Sequence, residues 1–318
     1  MNVDLHNRLL QWYEHHGRHT LPWRNTDDPY RIWVSEIMLQ QTQVKTVLER
    51  FYFPFLERFP TLPSLASAPL DDVLKQWEGL GYYTRAKNLH RAAQLAMPYM
   101  PGTVEGLIRL PGIGKSTAHA IAAFAYGAPV PILDANVKRI LYRFFGRREA
   151  DEKTLWRLAE KLFDPEHPFE FNQAMMDIGA TLCLPKSTAC DACPFEGACK
   201  GAAGDPLYYP APKKRKSVPV RERHIVVYRH NGRYGLKQRE GRFLHGLWGF
   251  HEQTAPPERG KTLESIVQVY SHFRLEAQVW LCEAHREELT YFQREEIDAL
   301  ALSGADHKVL KQLSALRP

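Results

Sequence analysis

Four of the five cysteines fall within seventeen residues, at Cys183, Cys190, Cys193 and Cys199, spaced C-x6-C-x2-C-x5-C. Four thiolates can hold zinc or an iron–sulfur cluster. Zinc sites usually present two tight pairs with a longer gap between them. One tight pair flanked by single cysteines favours [4Fe–4S], and Pro194 restricts the loop behind the third cysteine. Cys282 stands alone in an apolar, strand-like run and reads as a small buried residue. A second stretch, LPGIGKSTA (110–118), sets Gly112 and Gly114 between an apolar turn and an apolar run. Glycines there let the backbone turn sharply and come close to a ligand. The N–H groups opening the following helix suit a phosphate oxygen; the alternative is a plain tight turn between packed helices. Two carboxylates complete the set. Glu36 lies in IWVSEIMLQQ beside Trp33, Ile37, Leu39 and Gln40, where apolar burial raises its pKa and keeps a proton available near neutral pH. Asp134 in PILDANVKRI stands just before a helical run, the preferred place of an N-cap. A capping carboxylate can still present its second oxygen elsewhere.

The elements that must position these groups are mostly helical. From residue 28 to about 200, apolar residues recur every three or four positions. YRIWVSEIMLQQTQVKTVLERFYFPFLERF leads the series, and further helices are expected near 64–78, 84–97, 103–110, 116–126, 134–145, 153–162 and 172–181. The opening MNVDLHNRLLQWYEHHG reads as a helix with Val3, Leu5, Leu9 and Trp12 on its buried side. It lacks a signal-peptide pattern, and no run approaches the length of a membrane span, so a cytoplasmic, nucleoid-associated protein and no membrane partner are expected. The chain of 318 residues is long enough for two domains. DPLYYPAPKKRKSVPVRER (205–223) reads as an extended basic tether, with Lys213–Lys216 either a solvated run or a strap along DNA phosphates. This segment carries most of the net charge of +6; global charge is therefore a weak argument for nucleic acid. Beyond it, HIVVYRHNGRYGLKQRE reads as two strands around an NGR hairpin. SIVQVYSHFRLEAQVWLCEA supplies more strands with a break at Ser271–His272.

A helix–hairpin–helix followed by this cysteine spacing resembles the endonuclease III superfamily of DNA glycosylases. LPWR, PYRIWVSEIMLQQTQV, WEGLGYYTRAKNLH, LPGIGKSTA, ILDANVKRIL and FNQAMMDIGA narrow the resemblance to the MutY-type adenine DNA glycosylases over about 1–200. The resemblance implies a multidomain architecture. An all-α helix–hairpin–helix domain with a [4Fe–4S] loop spans 1–204, a basic linker 205–220, and a smaller α+β, Nudix-like domain that recognises oxidised guanine 221–318. No Nudix hydrolase pattern is present, so that domain is not expected to hydrolyse. The implied reaction removes adenine mispaired with 8-oxoguanine or guanine in duplex DNA. Glu36 would protonate the base and Asp134 stabilise the sugar cation, with Asn136 helping to order the site. Leu21, Trp23 and Asp177 are implied to line the adenine pocket. Tyr82 would wedge into the duplex, with Tyr83 either beside it or anchoring the loop, and Gln41 would probe the opposite strand. Tyr270–Ser271–His272 matches the family's F-S-H loop, so Ser271 and His272 would read the damaged base. Bifunctional relatives carry a Schiff-base lysine where this chain has Ser116; a hydroxyl cannot replace that amine. Lys115, one residue earlier, would point about 100° away on a helix. Ser116 then caps the hairpin's second helix and touches DNA, and the enzyme is monofunctional and monomeric. Two other readings share the scaffold: a thymine or pyrimidine glycosylase, and a non-catalytic iron–sulfur protein that scans DNA.

Overall fold

A computed structural model describes residues 3–212 and 217–316; the Lys213–Lys216 run lies outside the described residues. The chain forms two compact units. One joins the residues up to Gln43 with those from Ala92 to the end of the first described segment; the other joins Val44–Arg91 with the residues after 216.

The first unit is helical. Its helices are Val3–His16, Pro29–Leu39, Val104–Ile108, Lys115–Tyr126, Ala135–Phe144, Glu152–Leu162 and Pro168–Thr181. Their starts follow from local chemistry. Asp28 accepts from the Tyr30 N–H and is followed by Pro29 in the first turn; Thr103 and Asp151 cap their helices in the same way. The helix expected at 172 starts a turn earlier, because Pro168 supplies its first residue. Leu5 and Leu9 are buried, as expected, against Ile140, Leu141, Phe171, Ile178 and Phe195. A second cluster packs Ile32 of the Glu36 helix on Ala120, Ala123 and Phe124 of the hairpin helix.

The second unit carries short helices Val44–Arg50, Tyr52–Arg58, Leu62–Ser67 and Leu70–Gln76, the first turns of Thr84–Ala96, a sheet, and helices Arg294–Ile297 and Gly304–Ala315. The long helical run expected over 30–59 is broken, since the Glu36 helix ends at Leu39 and Gln41 takes a left-handed φ of 59°. Pro69 splits the expected 64–78 helix. The strands are β1 (Val220–His230), β2 (Arg233–Gln238), β3 (Trp248–Gly249), β4 (His251–Gln253), β5 (Lys261–Thr262), β6 (Ile266–Val269), β7 (Arg274–Glu283) and β8 (Thr290–Phe292). Their order is β3-β2-β1-β7-β5, with β4 on β1, β6 on β7 and β8 on β2. The NGR hairpin joins β1 to β2, with Asn231 and Gly232 both at positive φ, as a type I′ turn demands. The parallel pair β1–β7, in register from Val220↔Arg274 to Arg229↔Glu283, forms the centre. Ile225 and Val227 face the core beneath the Gly304–Ala315 helix, and Val226 and Tyr228 face the other side. No helix among the described residues is long and apolar enough to cross a membrane.

Candidate active site

Glu36 is partly buried on the helix Pro29–Leu39, flanked by the buried Trp33, Ser35 and Ile37. Loss of water around its carboxyl, with a smaller push from the nearby Asp134 charge and against the opposing pull of Arg24, brings its pKa up to about 7. The Glu36 helix is tied to the hairpin helix at its end, where Gln40 Nε2 donates to Thr117 Oγ1 (3.3 Å).

Asp134 is the N-cap of Ala135–Phe144, with its Oδ1 accepting from the Val137 N–H at 2.7 Å. Burial raises its pKa, opposed by the Val137 and Asn136 N–H groups and by Arg139 and Lys138. The cap is made through Oδ1. Two desolvated carboxyls within electrostatic reach of each other hold one proton between them most readily, because ionising both is disfavoured.

Behind this pair lies an assembly that sequence reasoning missed. Asp177 has no exposure at all. Its oxygens accept from Arg24 Nη1 and Nη2 (both 2.7 Å), Arg18 Nε (2.6 Å) and the Arg18 N–H (2.8 Å). Burial pushes Asp177 up, but the hydrogen bonds and charge of Arg24, with Arg18, more than offset it and hold it below the usual carboxylate range. Asp177 thus holds Arg24, whose positive charge is felt at Glu36. The arginine of LPWR was the available signal. Leu21 and Trp23 on either side of Pro22 are 7% and 6% exposed, and so present little surface to a ligand in this state.

Asn136 Oδ1 accepts from Arg139 Nη2 (2.9 Å), which also donates to the Gly179 carbonyl (2.6 Å). A Cβ on Gly179 would lie 2.5 Å from that of Asn136, so glycine is what lets the two helices meet there.

In the hairpin, Gly112 has φ +80°, which explains its identity. Gly114 has an ordinary φ of −82° and open space where a Cβ would sit. Nothing inside the protein requires glycine at 114. Gly114, not Ser116, is the N-cap of Lys115–Tyr126, and Ser116 is half-buried in the first turn. The capping role expected for Ser116 is thus corrected: the chain reaches the helix through an extended glycine, and Ser116 follows inside it. Lys115 Nζ rests 3.9 Å from the centre of the Trp156 ring, so the one amine of this turn is held against an aromatic face.

Gln41 and Tyr82, in separate units, are both exposed and both at positive φ (59° and 50°), which is uncommon outside glycine and often functional. Tyr83 is an anchor, with its hydroxyl donating to the Leu302 carbonyl (3.2 Å) and accepting from the Gly79 N–H (3.3 Å). Ser271 and His272 are exposed in the turn between β6 and β7, with Ser271 Oγ 3.2 Å from His272 Nδ1. Within the second unit, Tyr82, Tyr83, Ser271 and His272 line one cleft of about 700 Å³.

Cys183, Cys190, Cys193 and Cys199 ring one small apolar cavity in the first unit. Burial pushes Cys193 up to about 12, reinforced by the other three. Arg143, nearly fully buried, donates Nη1 to Cys183 Sγ (3.1 Å) and to the Leu184 carbonyl (2.8 Å). Among the described residues no three histidines, cysteines or carboxylates are set to grip a single ion.

Residues 34–165 match the model of the HhH-GPD superfamily of base excision DNA repair proteins, and residues 223–312 match a NUDIX domain. This is the class of protein that the helical hairpin domain and the mixed sheet define. An adenine DNA glycosylase of Buchnera aphidicola subsp. Baizongia pistaciae is 40% identical over 76% of this chain and 70% of its own. That of Buchnera aphidicola subsp. Schizaphis graminum is 35% identical over 84% of each. The solved structure of a thermostable thymine-DNA glycosylase superposes with a TM-score of 0.58 at 28% identity, covering 62% of this chain and 94% of that one. The chain belongs to the MutY-type adenine DNA glycosylase family.

Proposed function

We propose that this enzyme removes adenine paired with 8-oxoguanine, or with guanine, and leaves an abasic site without cutting the strand. The observation that carries this reading is Glu36, poised at about 7 beside Asp134 in one desolvated site. A base–sugar bond breaks when the departing base takes a proton and the sugar's growing positive charge meets an anion. Glu36 holds the proton to give, and Asp134 supplies the anion. Water completes the reaction, since Ser116 offers no amine and Lys115 is held on Trp156. The adenine reaches Glu36 only after leaving the stack; Tyr82 fills the gap, Gln41 meets the opposite strand, and Ser271 and His272 read the edge of the oxidised base. Leu21 and Trp23 border the flipped base, and Asp177 fixes the charge behind it through Arg24. Residues 205–220 then act as a tether between a glycosylase domain, 1–204, and a recognition domain, 221–318.

The four cysteines, which all line one cavity, suit a [4Fe–4S] cluster better than one zinc ion, because one tight pair stands between two single cysteines. Arg143 would stabilise the Cys183 thiolate, and a bound cluster would supply a rigid cross-link for the 183–199 loop and a redox centre.

The test uses labelled duplexes carrying A opposite 8-oxoguanine, A opposite guanine and T opposite guanine, read on denaturing gels before and after hot alkali. Cleavage of the A strand only after alkali is expected. Cleavage without alkali would show that another amine acts as a lyase. Release of thymine in place of adenine would favour the activity named for the structural neighbour. Binding without release would leave only a scanning role.

A further expectation concerns the hairpin. Gly114→Ala adds a methyl into open space, so the melting temperature stays within about 1–2 °C. If a phosphate packs against that backbone, duplex affinity falls roughly tenfold. Unchanged affinity in a titration would mean that the hairpin is only a turn.

A further inference from the structure

Glu78, between Trp77 and Gly79, has no role in the reading above. We propose that Glu78 is a positioning residue that fixes the Tyr82 loop and the Ser271–His272 loop to one shared anchor, Leu302–Ser303, and so sets how strongly 8-oxoguanine is preferred over guanine. This deepens the proposed function and rests on it.

The contacts of Glu78 lie within one compact unit. Glu78 Oε1 accepts from the Leu302 N–H at 2.9 Å and pairs with His307 Nε2. Its Oε2 accepts from Lys75 Nζ at 2.5 Å, and Lys75 also donates to the Leu300 carbonyl (3.0 Å). Tyr83 donates to the carbonyl of the same Leu302. The donor and acceptor of one residue, more than 200 positions away, are thus both held by the loop that carries Tyr82. The Glu78 side chain is 15% exposed, which lifts its bonds above the weak, screened pairs of an open surface.

The other side of the anchor holds the reading loop. Ser303 donates to the buried Asp306 (2.5 Å), which Arg239 grips through both oxygens. Ser303 borders the same cleft as Tyr270, and the Tyr270 N–H donates to the Phe273 carbonyl at 2.9 Å, closing the turn around Ser271 and His272. Tyr82 is braced separately, with the Arg85 guanidinium 5.4 Å from its ring centre and Arg85 Nη2 donating to the Gly81 carbonyl. Each loop therefore keeps its own shape without Glu78. What Glu78 fixes is the spacing of the two loops across the cleft they share. A base that must be stacked on one side and hydrogen-bonded on the other is read only when that spacing is right.

The test measures single-turnover adenine release by the full chain over a range of enzyme concentrations, on A opposite 8-oxoguanine and A opposite guanine. Glu78→Ala is expected to raise the half-saturating concentration for the 8-oxoguanine duplex roughly tenfold, the scale of one charge-assisted hydrogen bond. The guanine duplex should change less than threefold, and the maximal rate on both should hold. Glu78→Gln, which keeps an acceptor for the Leu302 N–H, should recover part of the preference. His307→Ala should reduce it and be non-additive with Glu78→Ala. Amide exchange should quicken in 79–83 and stay unchanged in the Glu36 helix. Equal losses on both duplexes, a fall in maximal rate, or an unchanged ratio would each overturn the proposal. A wild-type enzyme that releases adenine without preferring 8-oxoguanine would remove the reading beneath it.

Discussion

Glu36→Gln stops adenine release while leaving duplex binding nearly intact. Glutamine keeps the shape and polarity of the side chain but has no acidic proton. General acid catalysis by a positioned side chain is worth roughly 10²–10⁴ in rate, so single-turnover excision should fall by about 10³ or more. The pH dependence follows from the same site. Glu36 must be protonated to act, and burial with the neighbouring Asp134 charge pushes it up to about 7; the rate is therefore lost as pH rises through about 7. Asp134 must be ionised, and burial raises it above the ordinary aspartate range; the rate is lost again on the acid side, at a higher pH than an unperturbed aspartate would give. The profile is a narrow bell, and its two limbs belong to the coupled pair. Residual activity of Glu36→Gln should lack the alkaline limb. A variant that retains more than a tenth of the wild-type rate, or a profile flat between pH 6 and 9, would show that another group supplies the proton.

Much of this arrangement is legible in the chain, and the exceptions share a cause. Helix starts were readable because their determinants are local: Asp28, Thr103, Asp134 and Asp151 each cap a helix from one residue before it. The NGR hairpin was readable because a type I′ turn selects its residues. The break at Gln41 was not, since an apolar pattern runs across it and tertiary packing decides that the Glu36 helix stops at Leu39. Nor was the partition that joins Val44–Arg91 with the sheet, or the β1–β7 pairing, whose partners are over 50 residues apart. Among site residues, the family motifs singled out Glu36, Asp134 and the cysteines. They did not reveal that Asp177 faces Arg18 and Arg24 at separations above 150 residues, that Arg143 donates to Cys183, or that Glu78 reaches Leu302. Those relations depend on which side chains the fold brings together, and neither spacing nor composition records them. Ser116 shows the converse case: its type was informative about chemistry, as the absence of an amine, while its place in the helix was set by Gly114.

Asp134→Asn is the substitution that separates architecture from chemistry. As an N-cap, asparagine is as good as aspartate, so the acceptor for the Val137 N–H survives and the Ala135–Phe144 helix keeps its start. Thermal stability should therefore stay close to wild type, whereas Asp134→Ala, which removes the cap, should lose about 1 kcal/mol. What asparagine removes is the negative charge facing the sugar. Electrostatic groups aimed at developing charge in a dry site contribute more than in water, and losing one costs roughly 10²–10³ in rate. Glu36 adds a second effect in the same direction. Without the Asp134 charge its pKa moves down toward the ordinary carboxylate range, which leaves less of it protonated near neutral pH and shifts the alkaline limb of the profile to lower pH. Asp134→Asn should thus lower maximal excision by about 10³ and move that limb together, with an unchanged melting temperature and near-normal duplex affinity. Loss of rate with an unshifted limb would mean that the two carboxyls do not share a site. A rate within tenfold of wild type would reduce Asp134 to the helix cap that its position alone suggests.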